Sequence, residues 1–274
     1  MLAGKRLFFL GAGSISEAII KGLLATGVID AQQIVVCNRQ NAARLGSLRE
    51  TYNVVVSADK RADVASADLI VLAVKPFDVA AALAEVGDAV APHQLVVSVA
   101  AGVLAAEIEA RLAQGVPVVR AMPNTSAFVQ ASATAICRGR WADDDHLHLA
   151  RQLFAAIGTV ALADEAAMDA VTGLAGSGPA YIYYVVEALL AGGVAAGLDE
   201  QTSRELLLQT VFGAAKMLHD TGQSPAELRR QVTSPNGTTM AGIAALDERE
   251  VKEAFRSAVL RATARAGELG RALG

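Results

Sequence analysis

Cysteine is scarce in this 274-residue chain: only Cys37 and Cys137 occur, both inside apolar runs that read as strands. Two such residues make a disulfide framework a poor expectation. With no cleavable leader before the first strand, the expected compartment is the reducing cytoplasm. Positive charge is not in excess either. Against 28 acidic residues stand 24 basic ones, a net charge of −4, which argues against a nucleic-acid or anionic-membrane surface. Metal-ligand spacings are missing too, so no metal is expected. His146 and His148 stand two apart on an expected helix, pointing to different faces, and read as solvent-facing. Apolar residues are what the chain has in abundance. At 53% hydrophobic and 19% charged it is a folded globular chain with room for one large core or two modest ones.

Residues 6–10 form a short apolar run, as in a strand buried on both faces of a parallel sheet. Gly11 and Gly13 follow, allowing a tight turn and close approach of bare backbone to a ligand. Helical spacing resumes over 17–24. A strand, a glycine turn and a helix N-terminus together form a site for a pyrophosphate, because free N–H groups and the helix dipole face the anion. Ser16 departs from the fingerprint, which has glycine or alanine there. Further strands are expected at 34–37, 53–57, 69–74, 94–99 and 117–121, most of them separated by helix-like stretches. A strand at 133–137, a helix over 143–156 and a strand at 159–162 finish the sheet. Ligands on such sheets bind beyond the carboxyl ends of the strands. Those ends carry Asn38-Arg39, Lys75-Pro76, Ala100-Ala101-Gly102 and Met122-Pro123-Asn124. No acid stands at the end of the second strand to receive a ribose 2′-hydroxyl. Arg39, helped by Asn38, suits a 2′-phosphate instead, so NADP(H) is favoured.

From Glu165 onward the strand pattern stops. A helix is expected after Gly176-Ser177-Gly178-Pro179, and 180–198 is apolar almost all round, with Glu187 its only charge. Its length would permit a membrane span, but Glu187 and Gly192-Gly193 lie inside it and no polybasic segment flanks it. A helix apolar on every side must be covered on every side, so a second copy of the chain is expected to cover it. Long helices are also expected over 202–221 and 248–273. Between them, Ser234, Gly237, Thr238 and Thr239 precede a helix-like stretch at 241–246. Their hydroxyls and amides would hold a small carboxylate; they would equally serve as an ordinary helix cap.

Taken together these blocks resemble the pyrroline-5-carboxylate reductases. The likeness spans essentially the whole chain. It is carried by Gly11-Ala12-Gly13, Val74-Lys75-Pro76, Ala100-Ala101-Gly102, Met122-Pro123-Asn124, Asp169 to Gly173, Gly176 to Tyr181 and Thr233 to Thr239. The resemblance implies an α/β fold: a Rossmann-like dinucleotide-binding domain over 1–164 and an all-α dimerisation and substrate domain over 165–274. It implies reduction of the cyclic imine 1-pyrroline-5-carboxylate to L-proline with NADPH, NADH being possible, by a homodimer or a ring of dimers. Carried over, Gly11, Gly13, Ser14, Ile15 and Ser16 belong to the pyrophosphate, Asn38 and Arg39 to the 2′-phosphate, and Lys60 to the adenosine. Val74, Lys75, Pro76, Ala100, Ala101, Met122, Pro123 and Asn124 line the way to the nicotinamide. Glu165, Ser234, Gly237, Thr238 and Thr239 fall to the substrate, with Thr239 at the proton-donor position and Glu165 near the ring nitrogen. Asn236 stands where glycine is usual, a place where a positive φ is expected, and Ser126 where proline is common.

The residues fit that chemistry. Reducing a ketone calls for a strong donor, whereas an imine nitrogen can already be protonated, so hydroxyls and amides suffice. A 3-hydroxyacid dehydrogenase of similar build would need a helical lysine facing the nicotinamide, and Lys216 has no clear catalytic setting. A cofactor-sensing protein would have no use for a second anion site.

Overall fold

In the computed structural model, which describes residues 1–272, strands and helices alternate from the start. β1 (Leu7–Leu10) leads into α1 (Ser14–Thr26), β2 (Ile34–Cys37) into α2 (Ala42–Tyr52), and β3 (Val55–Val56) into α3 (Lys60–Ala65). β4 (Leu69–Leu72), α4 (Val79–Val86), β5 (Leu95–Ser98), α5 (Ala105–Glu109) and β6 (Val118–Met122) follow. β7 (Ser132–Arg138), α6 (Asp144–Ala155) and β8 (Gly158–Leu162) complete the sheet. Across it the order is β3-β2-β1-β4-β5-β6-β7-β8, parallel except where β6 meets β7. Chain direction across the sheet reverses between β1 and β4, so a crevice opens beyond their carboxyl ends.

Burial explains why these segments are strands. Every residue of β1, β2, β4 and β5 is buried, because helices cover both faces and continuous Val, Ile and Leu runs replace polar alternation. Leu7 and Phe9 enter one core with Ile19 and Leu23 of α1. Phe8 and Leu10 enter the other with Val79 and Leu83 of α4. β4 stops at Leu72, two residues short of expectation, and frees Val74 and Lys75 for the crevice. α1 begins at Ser14, three residues earlier than expected, since its first turn is polar and escapes an apolar-spacing test. His146 is only half exposed: it closes the cap of α6, with its Nδ1 2.6 Å from Asp143 Oδ1. His148 is exposed, as expected.

Cys37 and Cys137 are buried in β2 and β7 without a disulfide, and burial pushes both thiols up to about 11. Neither should react with iodoacetamide at mildly alkaline pH in the folded protein, and both should after denaturation. Native-state labelling of either, read by mass spectrometry, contradicts this packing.

After the sheet, α7 (Met168–Val171) runs into a π-turn at Thr172–Gly176. Two compact units emerge: Met1–Ser177 with the stretch from Leu260, and Gly178–Val259. The second unit begins later than residue 165, where the resemblance puts the domain boundary, and the last helix is divided between the units, residues 251–259 falling in the second and those from Leu260 in the first. The second unit opens with α8 (Gly178–Ala195), which packs on α9 (Glu200–Thr221). A Cβ at Gly193 would lie 3.1 Å from Ser203 Oγ, so glycine there lets the two helices approach closely. α10 (Pro225–Gln231), α11 (Thr238–Glu248) and α12 (Val251–Arg271) follow. α10 is an addition to the expected elements. Its mark is a capping box, Ser224 accepting from the Glu227 amide while Glu227 answers the Ser224 amide, with Pro225 at the first position.

None of α8 is buried within one chain, and Ile182, Tyr183, Tyr184 and Leu189 are each more than half exposed. Residues 165–195 are long and apolar enough to cross a membrane by length and composition. A continuous apolar surface of this kind also marks a protein–protein interface.

Candidate active site

A cleft of about 1050 Å³ lies at the carboxyl ends of the strands, at the upper end of the usual range for small-molecule sites. It gathers Gly11, Gly13, Ser14 and Ile15 after β1, Asn38 and Arg39 after β2, and Lys60 of α3. Val74, Lys75 and Pro76 join them after β4, Ala100 and Ala101 after β5, and Met122, Pro123 and Asn124 from β6. Ser16 is the exception among the expected cofactor residues. It is fully buried and donates from Oγ to the Gly11 carbonyl at 2.7 Å, so it fastens the turn from behind and does not face the cleft.

The turn fits a dinucleotide. Gly11 has φ +114°, and a Cβ there would sit 2.5 Å from the Ala73 carbonyl oxygen, so the loop presses its backbone against the end of β4. A Cβ at Gly13 would meet nothing within 4 Å. Gly13 caps α1 with no side-chain hydrogen bond, leaving the first amides of a 13-residue helix to bind an anion. Arg44 of α2 also lines the cleft and bonds the carbonyls of Ala12 and Gly13. No motif announces it; its role depends on α2 packing beside α1.

At the β2 end each cation already has a carboxylate. Arg39 Nη1 lies 3.1 Å from Asp78 Oδ1, with the arginine side chain 73% exposed, and Lys60 Nζ lies 2.7 Å from Glu85 Oε1. A pair as exposed as Arg39–Asp78 contributes under about 1 kcal/mol and is given up at little cost. The Asn38 side chain is engaged with the Asn41 backbone, donating to its carbonyl and accepting from its amide, and so shapes the turn after β2.

Toward β6, Asn124 Oδ1 accepts from the Ser126 amide and Nδ2 donates to the Ala175 carbonyl at 3.0 Å. A π-turn leaves backbone groups without their regular partners, and Asn124 supplies one. Gly176, at the end of that turn, also lines the cleft.

Glu165 is not at the cleft. Its Oε1 accepts from the Ala105 amide at 2.7 Å and from Arg120 Nη1 at 2.8 Å. Arg120 has a side chain only 6% exposed in the middle of the sheet and needs a counter-ion, which explains the placement. In this chain Glu165, which the resemblance places near the substrate ring nitrogen, is engaged in a structural ion pair with Arg120. Glu165→Ala should destabilise the fold by about 3 kcal/mol, because it strands a buried guanidinium, while the KM for the imine stays within twofold. Denaturant unfolding with parallel kinetics checks both; an unchanged midpoint contradicts the assignment.

The second unit holds Ser234, Gly237, Thr238 and Thr239. Gly237 is the N-cap of α11, again without a side-chain cap bond, and its own amide is used in a turn to the Ser234 carbonyl. The Thr238 and Thr239 amides therefore form the open first turn. Asn236 adopts φ +59°, as expected. A Cβ at Gly237 would lie 2.4 Å from Ser234 Oγ, so glycine lets the serine hydroxyl sit over the helix end. Among the described residues no group of His, Cys, Asp or Glu is arranged to hold a metal ion.

Comparison with known proteins extends this picture. Residues 165–269 match the family described as pyrroline-5-carboxylate reductase dimerisation, and residues 6–102 the family described as NADP oxidoreductase, coenzyme F420-dependent. The pyrroline-5-carboxylate reductase 1 of Bacillus spizizenii is 43% identical over 97% of this chain and 89% of its own. That of Methanosarcina acetivorans is 39% identical over 98% of this chain and all of its own. A solved pyrroline-5-carboxylate reductase from Coxiella burnetii superposes with a TM-score of 0.91 at 37% identity, covering 97% of this chain and 98% of that one.

Proposed function

Because the chain belongs to the pyrroline-5-carboxylate reductase family, we propose that its glycine-turn cleft and the open end of α11 serve one reaction, NADPH-dependent reduction of 1-pyrroline-5-carboxylate to L-proline. This is the last step of proline synthesis, carried out in the cytoplasm. The observation that carries the reading is the cleft itself, in which loops from five strand ends converge on an uncapped helix N-terminus. The nicotinamide supplies the hydride that the imine carbon receives. The chain's residues bind and orient. The Ser14 and Ile15 amides hold the pyrophosphate, and Arg39 exchanges Asp78 for the 2′-phosphate. The Thr238 and Thr239 amides with the Ser234 hydroxyl hold the substrate carboxylate. The Thr239 hydroxyl orients the ring nitrogen and delivers the proton it gains as the C=N bond becomes a single bond. The helical part dimerises through the apolar surface of α8, and dimers assemble further into rings.

The test follows absorbance of the reduced nicotinamide with 1-pyrroline-5-carboxylate added. Oxidation should require the imine and yield proline in equal amount. Turnover on 3-hydroxy acids with none on the imine contradicts the reading. Arg39→Ala should raise the KM for NADPH about tenfold or more, the contribution of one hydrogen bond to a charged group, and leave that for NADH within twofold. An equal rise for both nicotinamides removes Arg39 from the 2′-phosphate.

A further inference from the structure

Glu17, in the first turn of α1, is gripped from two places on α2. Its Oε2 accepts from Arg44 Nη2 at 2.6 Å and its Oε1 from the Tyr52 hydroxyl at 3.0 Å. Arg44 and Tyr52 stand eight residues apart, about two helical turns, and so share one face of α2. The same guanidinium reaches over the glycine turn: Nε donates to the Ala12 carbonyl at 2.9 Å and Nη2 to the Gly13 carbonyl at 3.3 Å. Arg44 is itself set by its own end of α2, where its amide bonds Asn41 Oδ1 at 2.9 Å. The hydrogen bond from Arg44 outweighs the cost of burial and holds the Glu17 carboxyl below its ordinary range, so the acid is ionised and paired at neutral pH.

Two consequences follow for a pyrophosphate. Carbonyl oxygens repel phosphate oxygens, and a peptide whose carbonyl is tied to Arg44 cannot rotate to turn that oxygen toward the cleft. An acid one turn into α1 would also repel the phosphate, and Arg44 cancels that charge in place. We propose that Arg44, braced by Glu17 and Tyr52, is a positioning residue that clamps the glycine turn with its carbonyls held aside and its amides presented to the dinucleotide pyrophosphate. The proposal rests on the dinucleotide reading of the cleft. It separates Arg44 from Arg39: the first acts on a part common to both nicotinamide cofactors, the second on the 2′-phosphate alone.

The test is binding, read by the fluorescence of NADPH and NADH titrated with Arg44→Met, alongside steady-state kinetics. The dissociation constants for both dinucleotides should rise by the same factor, about tenfold or more, with kcat at saturating cofactor within twofold and the KM for the imine unchanged. Tyr52→Phe, which keeps the ring and removes one bond of the brace, should raise both constants about two- to fivefold and serves if Arg44→Met does not fold. A loss confined to NADPH overturns the proposal, since it makes Arg44 a 2′-phosphate ligand. Unchanged constants, or a loss confined to kcat, overturn it as well. Failure of wild-type protein to bind either dinucleotide would instead sink the cofactor reading from which the proposal starts.

Discussion

Gly11→Ala should weaken NADPH binding by about tenfold to a hundredfold, or unfold the N-terminal unit outright. The added methyl has nowhere to go: its carbon would stand 2.5 Å from the Ala73 carbonyl oxygen and 2.9 Å from the Val74 amide nitrogen, both backbone atoms. The φ of +114° compounds the clash, since an L side chain there costs about 1–3 kcal/mol before any contact is counted. Relief requires the turn to back away from β4, which carries the amides of α1 with it. Gly13→Ala separates fold from ligand: a Cβ there meets no protein atom within 4 Å and its φ is negative, so its thermal unfolding should match wild type, and any loss of NADPH affinity reports the methyl against the bound pyrophosphate. Titration of both variants with NADPH, with thermal unfolding measured in parallel, reads the difference. Equal affinities for Gly11→Ala and wild type would show that the turn does not set the cofactor site.

Thr239→Ala carries the second large effect. It should lower kcat by about tenfold to a thousandfold, within the range of a single general-acid group, and leave the affinity for NADPH alone. Stability should be spared, because Gly237 and not Thr239 caps α11 and the Thr239 side chain makes no capping bond. Thr239→Ser, which keeps a hydroxyl, should recover most of the rate. Stopped-flow and steady-state turnover with the imine measure the loss. An unchanged kcat in Thr239→Ala removes the hydroxyl from the reaction.

Much of the fold could be read in advance where burial is complete. β1 and β2 lie within one residue of expectation because strands sandwiched between helices leave unbroken apolar runs with polar ends. Most of the residues lining the cleft were legible for the same reason, since they directly follow such runs, whereas Lys60 stands on α3 and was placed only by the resemblance. What escaped depends on partners distant in sequence. Arg44 looks like any helical arginine until α2 is laid beside α1. Ser16 shares the glycine turn, and only the packing shows that it faces inward. Glu165 matches a family position, yet Arg120, 45 residues earlier, claims its carboxylate. The π-turn at Thr172–Gly176 has no spacing signature distinct from an α-helix, and it is visible only through the Thr172 carbonyl bonding five residues ahead to the Ser177 amide.

The central claim is that two open helix ends, α1 for the dinucleotide and α11 for the substrate, bind the two reactants of one hydride transfer. A crystal structure with NADP⁺ and L-proline both bound tests it most directly. The pyrophosphate is expected on the Ser14 and Ile15 amides, the proline carboxylate on the Thr238 and Thr239 amides, and the Thr239 hydroxyl within hydrogen-bond reach of the ring nitrogen while the ring faces the nicotinamide. A proline bound away from α11, or a Thr239 hydroxyl remote from the nicotinamide of either subunit, would contradict the account.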